Sequence, residues 1–135
     1  MDTILPKNFY DSNCYREEVL FFPKSLWNNK LVTYLITLEG SNRRERYMKE
    51  LHRVKPSMQV IILHNKGFKK CFKEGVYSPG QDLWHANQEI FRRCEADSRS
   101  VLILEDDVQF TSNIKHLQQS LLSFLNTKQN LIKIL

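Results

Sequence analysis

The chain has 135 residues, 41% of them hydrophobic and 26% charged, enough for one compact domain with a buried core. Its longest apolar runs, such as Val60-Ile61-Ile62-Leu63, are far too short for a helical membrane span. A formal net charge of +5 favours polyanionic partners, whether nucleic acid, anionic lipid or a phosphorylated small molecule.

Residues Met1 to Asn13 are mixed and polar, without a charged-then-apolar leader, so a cytoplasmic protein is the default expectation. Cys14, Cys71 and Cys94 are odd in number and lack C-x-x-C spacing. That pattern predicts reduced, buried thiols rather than a disulfide scaffold or a cysteine zinc site. The four histidines are scattered, and no two stand at i, i+4.

Residues 1–28 carry aromatics among charges, with Pro6 and Pro23 breaking any long helix, and read as an irregular lead-in. Leu31 to Ile36 is an apolar, β-branched run that fits a buried strand. Asn42 with Glu45 three residues on resembles a helix start, and Tyr47, Met48, Leu51 and Val54 make one helical face that Pro56 ends. Met58 to Leu63 reads as a second strand. A basic loop with Lys66, Lys69, Lys70 and Lys73 follows, and a solvated, flexible loop is the expectation there. Gln81 to about Ala96 has helical spacing, and Val101 to Leu104 is a third strand leading into Glu105-Asp106-Asp107. Ile114, Leu117, Leu121, Leu122 and Leu125 mark another amphipathic helix, and Leu131 to Leu135 reads as a fourth strand. Alternating strands and helices predict an α/β fold with a mostly parallel sheet, whose ligands bind beyond the carboxyl ends of the strands. Because the chain stops inside a strand-like run, the expectation is that this fold is incomplete at its C-terminus.

Both polar clusters, residues 37–46 and 105–107, fall at such strand ends. If the third strand continues extended, Glu105 and Asp107 face one way and Asp106 the other. Two carboxylates on one side would offer hard oxygen ligands to Mn²⁺ or Mg²⁺. A solvated acidic loop is the alternative. Arg43, Arg44 and Arg46 sit where a guanidinium can meet a phosphate, or where three arginines merely form a solvated helix face.

The segment Val101-Leu102-Ile103-Leu104-Glu105-Asp106-Asp107-Val108 resembles the "vLEDDv" block of family 25 glycosyltransferases, which include lipopolysaccharide and collagen sugar transferases. Ile36 to Met48 is similar to that family's "INL-x(5)-R-x(3)-M" block, with the arginine at Arg44 and Thr37 in place of Asn. Gly80 to His85 is similar to "G-C-x-L-S-H"; Gly80, Leu83 and His85 match, whereas Gln81 and Trp84 depart. The resemblance covers about residues 31 to 135. It implies a GT-A-like, Rossmann-related domain over residues 29–135 that binds a nucleotide-sugar, a UDP-sugar first, and transfers the sugar to a hydroxyl of a glycan or hydroxylated protein. It further implies that Thr37, Leu38, Glu39, Arg44 and His85 border the donor. By the same resemblance Glu105, Asp106 and Asp107 form the catalytic cluster, with Asp107 and Glu105 as ligands of a divalent cation. Two other classes remain open: a non-catalytic module that keeps the fold without turnover, and a small basic nucleic-acid-binding protein. Metal-dependent donor binding, against steeply salt-dependent binding without metal, separates them.

Overall fold

A computed structural model describes residues 12–25 and 30–125. A four-stranded mixed sheet carries helices on both faces, an α/β architecture of Rossmann-like class. The strands are β1 (Tyr15–Phe21), β2 (Leu31–Leu38), β3 (Gln59–Asn65) and β4 (Ser100–Glu105). The helices are α1 (Arg44–Val54), α2 (Pro79–Arg93) and α3 (Ile114–Leu125). In the sheet order β1-β3-β2-β4, β2 pairs in parallel with both neighbours, and β1 runs antiparallel along β3.

The three parallel strands lie where their apolar runs predict. Leu31 to Thr37 are all buried, as expected of a central strand covered on both faces. Alternate residues serve opposite layers. Val32, Tyr34, Ile36, Ile61, Leu63, Val101 and Ile103 pack under α2 through Ala86 and Ile90. Leu31, Leu35, Val60, Ile62, Leu102 and Leu104 pack with Tyr47 and Leu51 of α1 and Leu121 of α3. The two crossovers run in opposite directions along the sheet. Since crossovers keep one hand, α1 and α2 must cover opposite faces, and they do.

Local signals set the helix ends. Ser78 caps α2 by accepting from the Gln81 N–H at 3.2 Å, and Pro79 stands at its first position. Helix α1 starts at Arg44, later than the Asn42 signal predicts, with no side chain capping it. It closes on Lys55 in the left-handed region, one residue before Pro56.

Two sequence expectations change. Residues Tyr15–Phe21, inside the stretch read as irregular, form the edge strand β1. Cys14 and Cys71 form a disulfide rather than staying reduced, and Cys94 is free. The two cysteines lie 57 residues apart in sequence. Only the turn of the chain after β3 carries Cys71 back to the start of β1, so spacing alone could not reveal the pair. The sheet is mixed, because β1 opposes the other three strands. The run Leu131 to Leu135 lies outside the described residues. Among the described residues no helix is long and apolar enough to cross a membrane.

Candidate functional site

After β2 the chain turns toward the α1 face, and after β3 it turns toward the α2 face. These neighbouring connections diverge at the carboxyl end of the sheet, the place where open parallel sheets take ligands. A cavity of about 580 Å³ opens there. It is bordered by the ends of β2, β3 and β4, by the loop after β3 and by the first turn of α2.

Register builds its floor. Ile36 stands opposite Glu105, and Thr37 opposite His64, so Asp106 emerges level with Thr37. The Thr37 hydroxyl donates to Asp106 Oδ2 at 2.8 Å, and an Arg43 guanidinium N–H donates to Asp106 Oδ1 at 2.8 Å. Arg43 gets there because the chain reverses at Leu38–Ser41, where the Ser41 N–H donates to the Leu38 carbonyl at 3.0 Å. Gly40 occupies this turn at φ +76°, a conformation that a side chain would strain.

The strand does not run on through the acidic cluster. It ends at Glu105, and the Val108 N–H closes a turn onto the Glu105 carbonyl at 3.0 Å. Asp106 and Asp107 therefore stand on a turn rather than on an extended strand. Glu105 and Asp106 border the cavity, and Glu105 also borders, together with Asp107, Phe110 and Leu117, a second hollow beside α3. Among the described residues, neither the Glu105 nor the Asp107 carboxylate receives a hydrogen bond.

The other wall is the loop 66–78. Lys66, Lys69 and Lys70 border the cavity, and the loop that carries them is tied at several points. The Asn65 side chain accepts the Gly67 N–H at 3.0 Å, and the Cys71 N–H donates to the Gly67 carbonyl at 2.9 Å. The Cys14–Cys71 disulfide fastens the loop to the start of β1. Lys73 turns inward, its ammonium 2.8 Å from Asp82 and 5.3 Å from the Tyr15 ring centroid. Asp82 also accepts the Phe68 N–H at 3.0 Å. The loop is solvated as expected, with Lys66, Lys69 and Lys70 exposed, but it is tied to the fold rather than loose. Its lysines looked alike in sequence, yet three face the cavity and the fourth anchors the wall.

The residues singled out by sequence divide accordingly. Thr37, Leu38, Glu39, Glu105 and Asp106 meet at the cavity. Arg16 donates to Glu39 at 2.7 Å and holds that carboxyl below its ordinary range. Arg44 does not reach the cavity. It makes two 2.7 Å bonds to Glu18 of β1, and its neighbour Arg43 enters the site instead. His85 also lies elsewhere, with its Nδ1 2.6 Å from the Tyr15 hydroxyl and the two rings stacked. The sequence offers Arg43 as one of three candidate arginines, but the family block selects Arg44, and the lysines read as a solvated loop. The available signals were the Asn65–Gly67 turn, the Ser78-Pro79 cap and the cysteine within the loop.

The acidic cluster does not assemble a ready cation site. A hard divalent ion takes several oxygen ligands. Here both Asp106 oxygens are held by Thr37 and Arg43, and Glu105 and Asp107, which border one hollow, are the two carboxylates that line it. Among the described residues no three histidine, cysteine or acidic side chains come together as metal ligands.

The chain matches no protein-family model, no curated protein and no solved structure. The cavity's own chemistry therefore carries the functional argument.

Proposed function

We propose that this cavity is the donor site of a glycosyltransferase-like, GT-A-type domain, and that it takes a nucleoside diphosphate-sugar of the UDP class. One observation carries the reading. Lys66, Lys69 and Lys70, which make no ion pair among the described residues, face the same cavity as the Glu105 carboxylate, at the carboxyl end of a parallel sheet. A nucleotide-sugar needs that combination, cations for its diphosphate and oxygen acceptors for its hydroxyls. A volume of about 580 Å³ lies within the ordinary range for small-molecule sites. The three sequence blocks similar to family 25 point the same way.

In the reaction that follows from this reading, an acceptor hydroxyl oxygen, on a glycan or a hydroxylated protein, bonds to the anomeric carbon. The bond from that carbon to the diphosphate oxygen breaks, its electron pair leaves with the nucleoside diphosphate, and the hydroxyl proton passes to solvent or a base. Lysine ammonium groups on the leaving phosphate stabilise the charge that develops there.

A second reading has its own observation. Asp106, the middle carboxylate of the acidic block, is occupied inside the fold by Thr37 and Arg43, which suits a module that binds a donor without turnover. Isothermal titration with UDP and UDP-glucose, followed by assay of UDP release with and without a glycan acceptor, decides between them. Saturable binding with acceptor-stimulated release supports the transferase, and binding without release supports the module. A folded protein that binds neither nucleotide would end both.

A further inference from the structure

We propose that Lys66, Lys69 and Lys70 take the donor diphosphate directly, in the role a divalent cation would otherwise fill. The proposal rests on the donor-site reading and specifies how the phosphates are held. A diphosphate entering a cavity must have its charge offset, either by a metal that its carboxylates hold or by cationic side chains already there. The carboxylates of the cavity are poorly placed for the first role, since Asp106 is bonded on both oxygens, Glu39 is paired with Arg16 and Asp82 with Lys73, which leaves Glu105, and Asp107 borders another hollow.

The cations are well placed for the second. Around this end of the sheet three arginines already have carboxylate partners: Arg16 with Glu39, Arg43 with Asp106, and Arg44 with Glu18. The three loop lysines border the cavity with no ion pair among the described residues. Nor are they on a free strand of chain. The Cys14–Cys71 disulfide and the buried Lys73–Asp82 pair hold the loop in place, which lowers the ordering cost of binding. Glu105 and Asp106 lie at the β4 side of the cavity and repel phosphate, so the diphosphate lies along the loop and the hydroxyl-bearing portions turn toward the carboxylates.

The test is titration of the whole chain with UDP, in chelator-treated buffer and again with added Mn²⁺. Affinity should agree within about twofold between the two media. Charge-assisted hydrogen bonds predict that Lys69→Gln with Lys70→Gln weakens binding by at least roughly tenfold in both. Lys69→Arg with Lys70→Arg should keep most of the affinity, and Lys115→Gln on α3 should keep all of it. Far-UV circular dichroism confirms that each variant is folded. Binding that arises only with Mn²⁺ and disappears in Asp107→Ala would overturn this inference while leaving the donor site standing. Absence of UDP binding in both media would remove the donor-site reading itself.

Discussion

Asp82 makes one ion pair and one hydrogen bond from a position with almost no solvent contact. One oxygen meets the Lys73 ammonium at 2.8 Å and the other accepts the Phe68 N–H at 3.0 Å. The Lys73 side chain is wholly buried, so removing its partner would leave a charge in a site that cannot solvate it. Breaking a buried ion pair from one side typically costs about 3–5 kcal/mol, and Asp82→Ala should lose that much in urea unfolding. Lys73→Met with Asp82→Leu removes both charges and should recover most of the loss. If the single variant unfolds like the parent, the pair is not holding the loop. The same scale explains where residue-level reading stopped. Lys66, Lys69, Lys70 and Lys73 are identical side chains in one run, and neighbouring Arg43 and Arg44 differ by one position. Which member turns inward depends on contacts with Asp82, Asp106 and Glu18, all distant in sequence.

At the scale of elements, β1 shows why an edge strand can escape notice. Successive residues of a strand face opposite ways. Glu17 meets Arg93 of α2 at 2.7 Å on one face, and Glu18 meets Arg44 of α1 on the other. Charges occupy the positions where an apolar alternation would be sought, and the strand is stitched to both helix layers by ion pairs. The Arg44 guanidinium, with help from His64, draws the Glu18 carboxyl down from 4.5 to about 2. A lowered carboxyl stabilises the fold fully above its ordinary value and loses that contribution as pH falls toward the folded value. Thermal unfolding should therefore show part of the stability lost between pH 4.5 and about 2. Glu18→Gln should unfold at a lower temperature near neutrality and lose less across that interval. A variant whose pH profile runs parallel to the parent's would rule out this contribution.

For the whole molecule, the disulfide is the covalent constraint on the loop. It closes a span of 57 residues, which limits the unfolded chain far more than the folded one. Such a cross-link contributes about 2–4 kcal/mol, and Cys14→Ser with Cys71→Ser should lower the unfolding free energy by that amount in denaturant titration. Reduction of the parent by a dithiol should give the same loss, and an unchanged midpoint in either case would count against the bond as a stabilising tie. Because the same bond carries the lysine wall, the UDP binding proposed above should weaken together with stability.

The order of elements was legible along the chain. Continuous apolar runs in Leu31–Ile36, Met58–Leu63 and Val101–Leu104, and helical periodicity between them, are local patterns, and burial on both faces of a parallel sheet demands them. Thr37, Glu39, Glu105 and Asp106 could be placed near one another because parallel strands end together. The contents of the cavity were a tertiary decision. A turn at Glu105–Val108 sent Asp107 to another hollow, the bond to Glu18 took Arg44 away, and the Cys14–Cys71 link brought three lysines to the wall. Each outcome depends on a partner between 26 and 57 residues away or on a local break in strand geometry. Periodicity reports which face of an element is buried, and only packing determines which charged side chains are left without a partner.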